Sequence, residues 1–180
     1  MHFSHYKSLP LQLAVDLVNS LDVMDKTETL AVADVSDWLR RAEVEPVPEV
    51  TEADLGSVRA LRSQIRSVFE SASPAEAADR VNRILGHAQP IPFIGVHDHG
   101  PHMHVAPRKN APAEWLGAVI GMELADLVCR YGTDRFGVCS ADDCRDVFID
   151  VSRNHSRKHC SERCTNREGV RSFRRRAADH

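Results

Sequence analysis

Over roughly the first two-thirds of the chain, apolar residues recur mainly at intervals of three and four, the spacing of helices that bury one face. Leu13, Ala14, Leu17, Val18 and Leu21 predict a helix over residues 9–21. Asp16 and Asn19 fall on its other faces and read as structural, since an Asn near a helix end caps or orients a loop. Asp34, with Asp37 three residues on, predicts the start of a short helix carrying Val35, Trp38 and Leu39 that ends before Pro46 and Pro48. Thr51 caps a longer one in which Leu55, Val58, Leu61, Ile65, Val68 and Phe69 keep the helical period. Its face bearing Arg59, Arg62 and Arg66 reads as solvated. Ser73 and Pro74 open a further helix with Ala78, Val81, Ile84 and Leu85, and Gly86 closes it. Asn110, Ala111 and Pro112 lead into a helix over residues 113–131. Trp115, Leu116, Val119, Ile120, Leu124, Leu127 and Val128 give it a broad apolar face, and Gly132 ends it. Cys129, alone in that helix, reads as a small packing residue.

Between these last two helices the pattern changes. Phe93 and Ile94 precede His97, Asp98, His99, Gly100, Pro101, His102, Met103 and His104, which read as two short strands around an Asp-His-Gly-Pro turn. His102 and His104 would share a strand face, with His97 and His99 across the hairpin, so a chelate is sterically open. A polar hairpin face without a metal is the favoured reading.

The C-terminal part has few apolar positions and a different chemistry. Cys139 and Cys144 form one close pair, and Cys160 and Cys164 follow after fifteen intervening residues. Zinc takes four thiolates tetrahedrally, and two such pairs each supply half of that shell. Asp142 and Asp143 make a turn inside the first pair, residues 146–150 a short strand, and residues 152–155 a returning loop. A helix starts near Ser161, with Cys164 in its first turn and Val170, Phe173 and Ala177 at helical spacing. These residues, with Val147-Phe148-Ile149-Asp150-Val151-Ser152-Arg153-Asn154 and Cys164-Thr165-Asn166-Arg167, resemble the CGNR zinc-finger family. Members carry Gly or Ala between that cysteine and the Asn-Arg pair, and commonly an aromatic residue before the third cysteine. This chain has Thr165 and His159 there. Residues 11–21 resemble the opening of the ABATE domain, which commonly precedes a CGNR finger.

Charge sharpens the division. The net charge of −3 hides an acidic body and a tail rich in arginine. Arg163, Arg167, Arg171 and Arg174 recur at one-turn spacing, and Arg175 widens the basic surface, as do Arg153, Arg157 and Lys158 before the helix. A basic tail on an acidic body points to a polyanionic partner. Hydrophobic content of 42% and charged content of 27% are ordinary for a globular protein. No phosphate loop, dinucleotide fingerprint or Ser-His-Asp order occurs. Residues 1–7 lack the apolar core of an export signal, so a cytoplasmic location is expected.

The expected fold is α+β: a mostly helical ABATE-like domain over residues 1–132 with a small β-hairpin, then a treble-clef-like CGNR finger with a basic helix over residues 133–180. One structural zinc per chain is expected on the four cysteines, with no catalytic residues. The expected partners are double-stranded DNA and a second copy bound through the N-terminal domain, with no membrane association. The alternative is a ligand or metal sensor, or an enzyme, centred on the histidine hairpin, with the finger as a protein-interaction module.

Overall fold

A computed structural model describes residues 8–44, 46–97 and 100–178. Asp98 and His99, the turn of the histidine hairpin, lie outside those residues, as do residues 1–7. Among the described residues, six α-helices, a short 3-10 turn at Glu52–Asp54 and three small antiparallel hairpins make up the architecture, in agreement with the expected α+β class. Helix α1 is Leu9–Asn19, α2 Val32–Arg41, α3 Leu55–Phe69, α4 Pro74–Ala88, α5 Pro112–Tyr131 and α6 Glu162–Ala178. The hairpins are β1 Leu21–Asp22 with β2 Thr27–Glu28, β3 Ile91–His97 with β4 Gly100–Ala106, and β5 Phe136–Val138 with β6 Val147–Ile149. No described helix is long and apolar enough to cross a membrane.

Helix ends follow local chemistry and correct several boundaries. Ser8 caps α1, its hydroxyl accepting from the Leu11 N–H at 3.4 Å. Helix α2 begins before Asp34, whose carboxylate reaches back to the Ala31 N–H at 2.9 Å. Gly86 does not close α4; the helix runs on to Ala88, and Gln89 ends it in the left-handed region at φ 46°. The strand expected over residues 146–150 is present as β6, whereas β1, β2 and β5 were not legible from periodicity, because strands of two and three residues are too short to show alternation. Cys129 is exposed rather than packed.

One core forms where α1, α3, α4 and α5 meet. Leu13, Leu17, Leu39, Ile65, Ile84, Leu116, Ile120 and Leu124 are fully buried there. The same core takes in Phe136, Val147 and Ile149 of β5 and β6, with Phe136 edge-on to Phe69 at 5.5 Å. The hairpin that leads into the cysteine-rich part is thus packed as part of the body.

Two polar devices complete that junction. Asn19, at the end of α1, accepts from the Val147 N–H at 2.8 Å and donates to the Val147 carbonyl at 3.0 Å. It thereby satisfies both backbone groups of a buried strand residue. The arginine face of α3, expected to be solvated, is largely occupied. Arg62 is only 6% exposed. It grips both carboxylate oxygens of Glu28 at 2.7 Å and donates to the Ser20 hydroxyl at 2.9 Å. Arg66 donates to the Arg145 carbonyl at 3.1 Å, tying α3 to the cysteine knuckle.

Replacing Asn19 by Ala leaves the Val147 N–H and carbonyl without these partners. A loss of about 2–3 kcal/mol is expected, from two buried backbone groups left unsatisfied. Hydrogen exchange should be fastest-changing at β6. Unchanged protection of Val147 would contradict the role given to Asn19.

Candidate metal centre and nucleic-acid face

The four cysteines converge. Their Sγ atoms all lie within 4.8 Å of one another, the only group of three or more potential metal ligands found among the described residues. Cys144 to Cys160 and Cys160 to Cys164 are each 3.6 Å apart between sulfurs. A tetrahedron of zinc–sulfur bonds has edges of about 3.8 Å, so the donor set fits that ion with small shifts of the sulfurs. Cys139 and Cys164 are buried, and Cys144 and Cys160 partly so. Burial pushes the Cys144 thiol up to about 12 and raises Cys160 as well. A bound divalent cation reverses that balance by stabilising the thiolates. Four sulfurs close the shell, so zinc here is structural and offers no open position for a substrate.

Each pair is positioned by its own backbone. In the first, the Cys139 N–H donates to the Asp146 carbonyl at 2.8 Å and the Cys144 N–H to the Ala141 carbonyl at 3.2 Å, closing the knuckle. In the second, Arg157 donates to the carbonyls of Ile149 at 3.0 Å, His159 at 2.9 Å and Cys160, and lies over the Phe148 ring at 5.2 Å. Asp150 caps the returning loop, accepting from the Ser152 N–H at 2.7 Å and the Arg157 N–H at 2.9 Å. Burial would raise this carboxyl, but those hydrogen bonds hold it below its usual value. Buried Arg135 donates to the Ser152 carbonyl at 2.5 Å, fixing the other end of the loop. His159 is not among the converging ligands; its Nδ1 sits 3.4 Å from the Thr165 hydroxyl. The two positions at which this finger departs from the CGNR pattern therefore touch each other.

Helix α6 carries two distinct faces. Cys164, Arg167, Glu168, Arg171 and Arg175 point to the knuckle. Arg167 pairs with Asp143 at 2.6 Å and donates to the Cys164 sulfur at 3.3 Å, where it offsets thiolate charge. Arg171 pairs with Glu168 at 2.6 Å and Asp143 at 2.7 Å. Arg175 reaches Asp142 at 3.6 Å and Glu168 at 3.7 Å while staying 65% exposed. These pairs hold Asp143 and Glu168 below the ordinary carboxylate range, burial opposing the first and the Arg171 hydrogen bond dominating the second. The opposite face presents Arg163, Asn166, Val170, Phe173, Arg174 and Ala177, all exposed. Val170 is 50% and Phe173 67% exposed, so the apolar stripe legible in the sequence is not packed against the chain.

The basic residues singled out by the sequence therefore divide. Arg157, Arg167 and Arg171 are committed to the finger's own framework. The side chains of Arg153, Lys158, Arg163 and Arg174 are exposed and, among the described residues, make no ion pair. The missed contributors are Arg62, Arg66 and Arg135, and for Asn19, read as structural, the partner Val147; in each case the partners are distant in sequence.

The histidine hairpin is paired in a regular register, with Phe93 opposite His104, Gly95 opposite His102 and His97 opposite Gly100. His104 is part of the packing: its ring stacks on Phe93 at 5.4 Å and lies across Gly95, where a Cβ would come within 2.5 Å of it.

Residues 11–131 match the family model ABATE, described as "Putative stress-induced transcription regulator", and residues 135–177 match the CGNR zinc finger. No curated protein matches the chain. Both descriptions are of a regulator or a zinc finger rather than an enzyme. The chain belongs to the ABATE family and ends in a CGNR zinc finger whose four cysteines are placed to bind one metal ion.

Proposed function

We propose that the protein is a cytoplasmic, non-catalytic transcription regulator that binds double-stranded DNA through α6 and the loop before it. The observation that carries this reading is the outer face of α6, a helix anchored by the metal centre that leaves Val170 and Phe173 exposed between free cations. Arg163 and Arg174 flank that stripe, and Arg153 and Lys158 extend the charge. Cations of this kind contact phosphates, Asn166 has the amide that pairs with adenine, and Val170 and Phe173 suit thymine methyl groups. Arg175, exposed and loosely paired, joins the phosphate set; Arg157, Arg167 and Arg171 act by holding the finger's shape.

The test is fluorescence anisotropy on a labelled duplex across a salt series. With about four phosphates neutralised, log K should fall against log salt with a slope of about −3 to −4. Arg163→Ala and Arg174→Ala should each lessen that slope by about one unit. Phe173→Ala should leave the slope and reduce discrimination between sequences. A slope that no arginine variant changes would count against the reading.

The same proposal includes a homodimer formed through the N-terminal part. The β3–β4 hairpin is a two-stranded sheet with no third strand among the described residues, and Ile94 and Val96 are 72% and 74% exposed on it. Isolated hairpins of this length are marginal in water, and such edges invite pairing. Sedimentation should show a dimer that Ile94→Thr with Val96→Thr converts to monomer at unchanged zinc content. A monomeric parent protein at micromolar concentration would refute the dimer.

A further inference from the structure

The cleft beneath the hairpin is separate from the metal centre and from the face of α6. It encloses about 940 Å³ between β3–β4, the end of α2 and one side of α5, within the range of small-molecule sites. Its lining is about half polar and half apolar, and the apolar half is rich in aromatic and sulfur-bearing side chains. Trp115 and Met122 of α5 form one side, and Phe93 stacked on His104 forms the other. Phe93 is 47% and Met122 36% exposed, so these surfaces are not covered by the other described residues. Gly95 is needed for this wall, because any side chain there would collide with the His104 ring.

The charged residues lining the cleft are all acidic: Glu43, Glu123 and Asp126. Asp126 is already partnered by Arg130 at 2.8 Å. With that guanidinium included, the described residues of the lining keep an excess of two negative charges, from Glu43 and Glu123. The apolar and aromatic half of the lining favours a molecule with a large hydrocarbon surface, and aromatic faces attract a cation held against them. Carboxylates at the mouth select positive charge and reject an anion of the same shape.

We propose that this cleft binds a lipophilic monovalent cation, a molecule with aromatic or branched alkyl groups around one positive centre. The site does not depend on the DNA-binding reading, and its test does not use DNA. Pro10 at the start of α1 also lines the cleft, while Asn19 at the other end of that helix holds β6. A single rigid element thus touches both the ligand site and the finger junction.

The probes are tetraphenylphosphonium and tetraphenylborate, which share size and shape and differ in the sign of charge. Calorimetric titration of the full zinc-loaded chain should give one phosphonium site per chain, with the borate at least about tenfold weaker, as two nearby charges at intermediate dielectric imply. Glu43→Gln with Glu123→Gln should weaken phosphonium binding about tenfold and narrow the difference between the two probes. Met122→Ala, on a rigid helix, locates the site and should weaken both probes severalfold. Zinc content and thermal stability should stay unchanged in both variants. Equal binding of the two ions, or phosphonium binding indifferent to all three substitutions, would overturn the proposal. So would the absence of binding, including in a dimer whose second copy fills the cleft.

Discussion

Chelating the metal is expected to release α6 and the second cysteine pair while helices α1 to α5 and the β5–β6 hairpin stay folded. The reason lies in what each segment rests on. Under α6 the buried cluster consists of Cys139, Ala141 and Cys164, with Cys144 and Cys160 beside it, so the thiolates are themselves the core. Val170 and Phe173 add nothing, since they face solvent. The remaining ties are ion pairs of half-exposed arginines, each worth little on its own. A 17-residue helix has marginal stability alone, and metal binding in comparable small modules contributes on the order of 10 kcal/mol. By contrast Phe136, Val147 and Ile149 sit in the main core, and Asn19 holds Val147. Circular dichroism should lose roughly a fifth of its helical signal on chelation. Proteolysis should appear at Lys158 and Arg163, and the melting of the body should move little. An α6 that survives in reduced, metal-free protein would show that its stability comes from elsewhere.

Arg62→Ala is expected to be the most damaging single change in the body. Breaking a buried ion pair from one side costs about 3–5 kcal/mol, and the low end applies because Glu28 keeps 32% side-chain exposure. A cost of about 3 kcal/mol corresponds to a fall in Tm of about 6–12 °C for a chain of this size. The pair also has a pH signature. The Arg62 hydrogen bond lowers Glu28 from 4.5 to about 2. A depressed carboxyl contributes stability that is fully present above its unfolded value and is lost as pH falls through its folded one. The difference in stability between the parent and Arg62→Ala should therefore be constant above about pH 5 and shrink between pH 4.5 and 2. Acid loss of the metal affects both proteins and cancels in that difference. A gap that stays constant to low pH would contradict the assignment.

What could be read from the sequence was local or periodic. Helical spacing located the helices because one buried stripe repeats many times within each, as in Leu13, Leu17 and their neighbours. The cysteines were legible because ligand spacing is itself a geometric constraint. Arg62 was read as solvated because its partners, Ser20 and Glu28, are more than thirty residues away, and no period encodes that distance. Asn19 was seen as structural, but its partner Val147 lies 128 residues on. The arginine stripe shows the limit most clearly. One-turn spacing places side chains on a face, yet Asp142, Asp143 and Glu168 decide which of those arginines remain free.

We propose that the metal-anchored α6 presents its free cations to DNA. The most direct test is duplex binding at low salt by the full chain in which Arg153, Lys158, Arg163 and Arg174 are replaced together by Ala. This variant is expected to keep one zinc per chain and the parent melting temperature, because none of the four side chains pairs with another described residue, and to lose DNA binding. Binding at parental affinity with zinc intact would contradict it and favour a protein-interaction role for the finger.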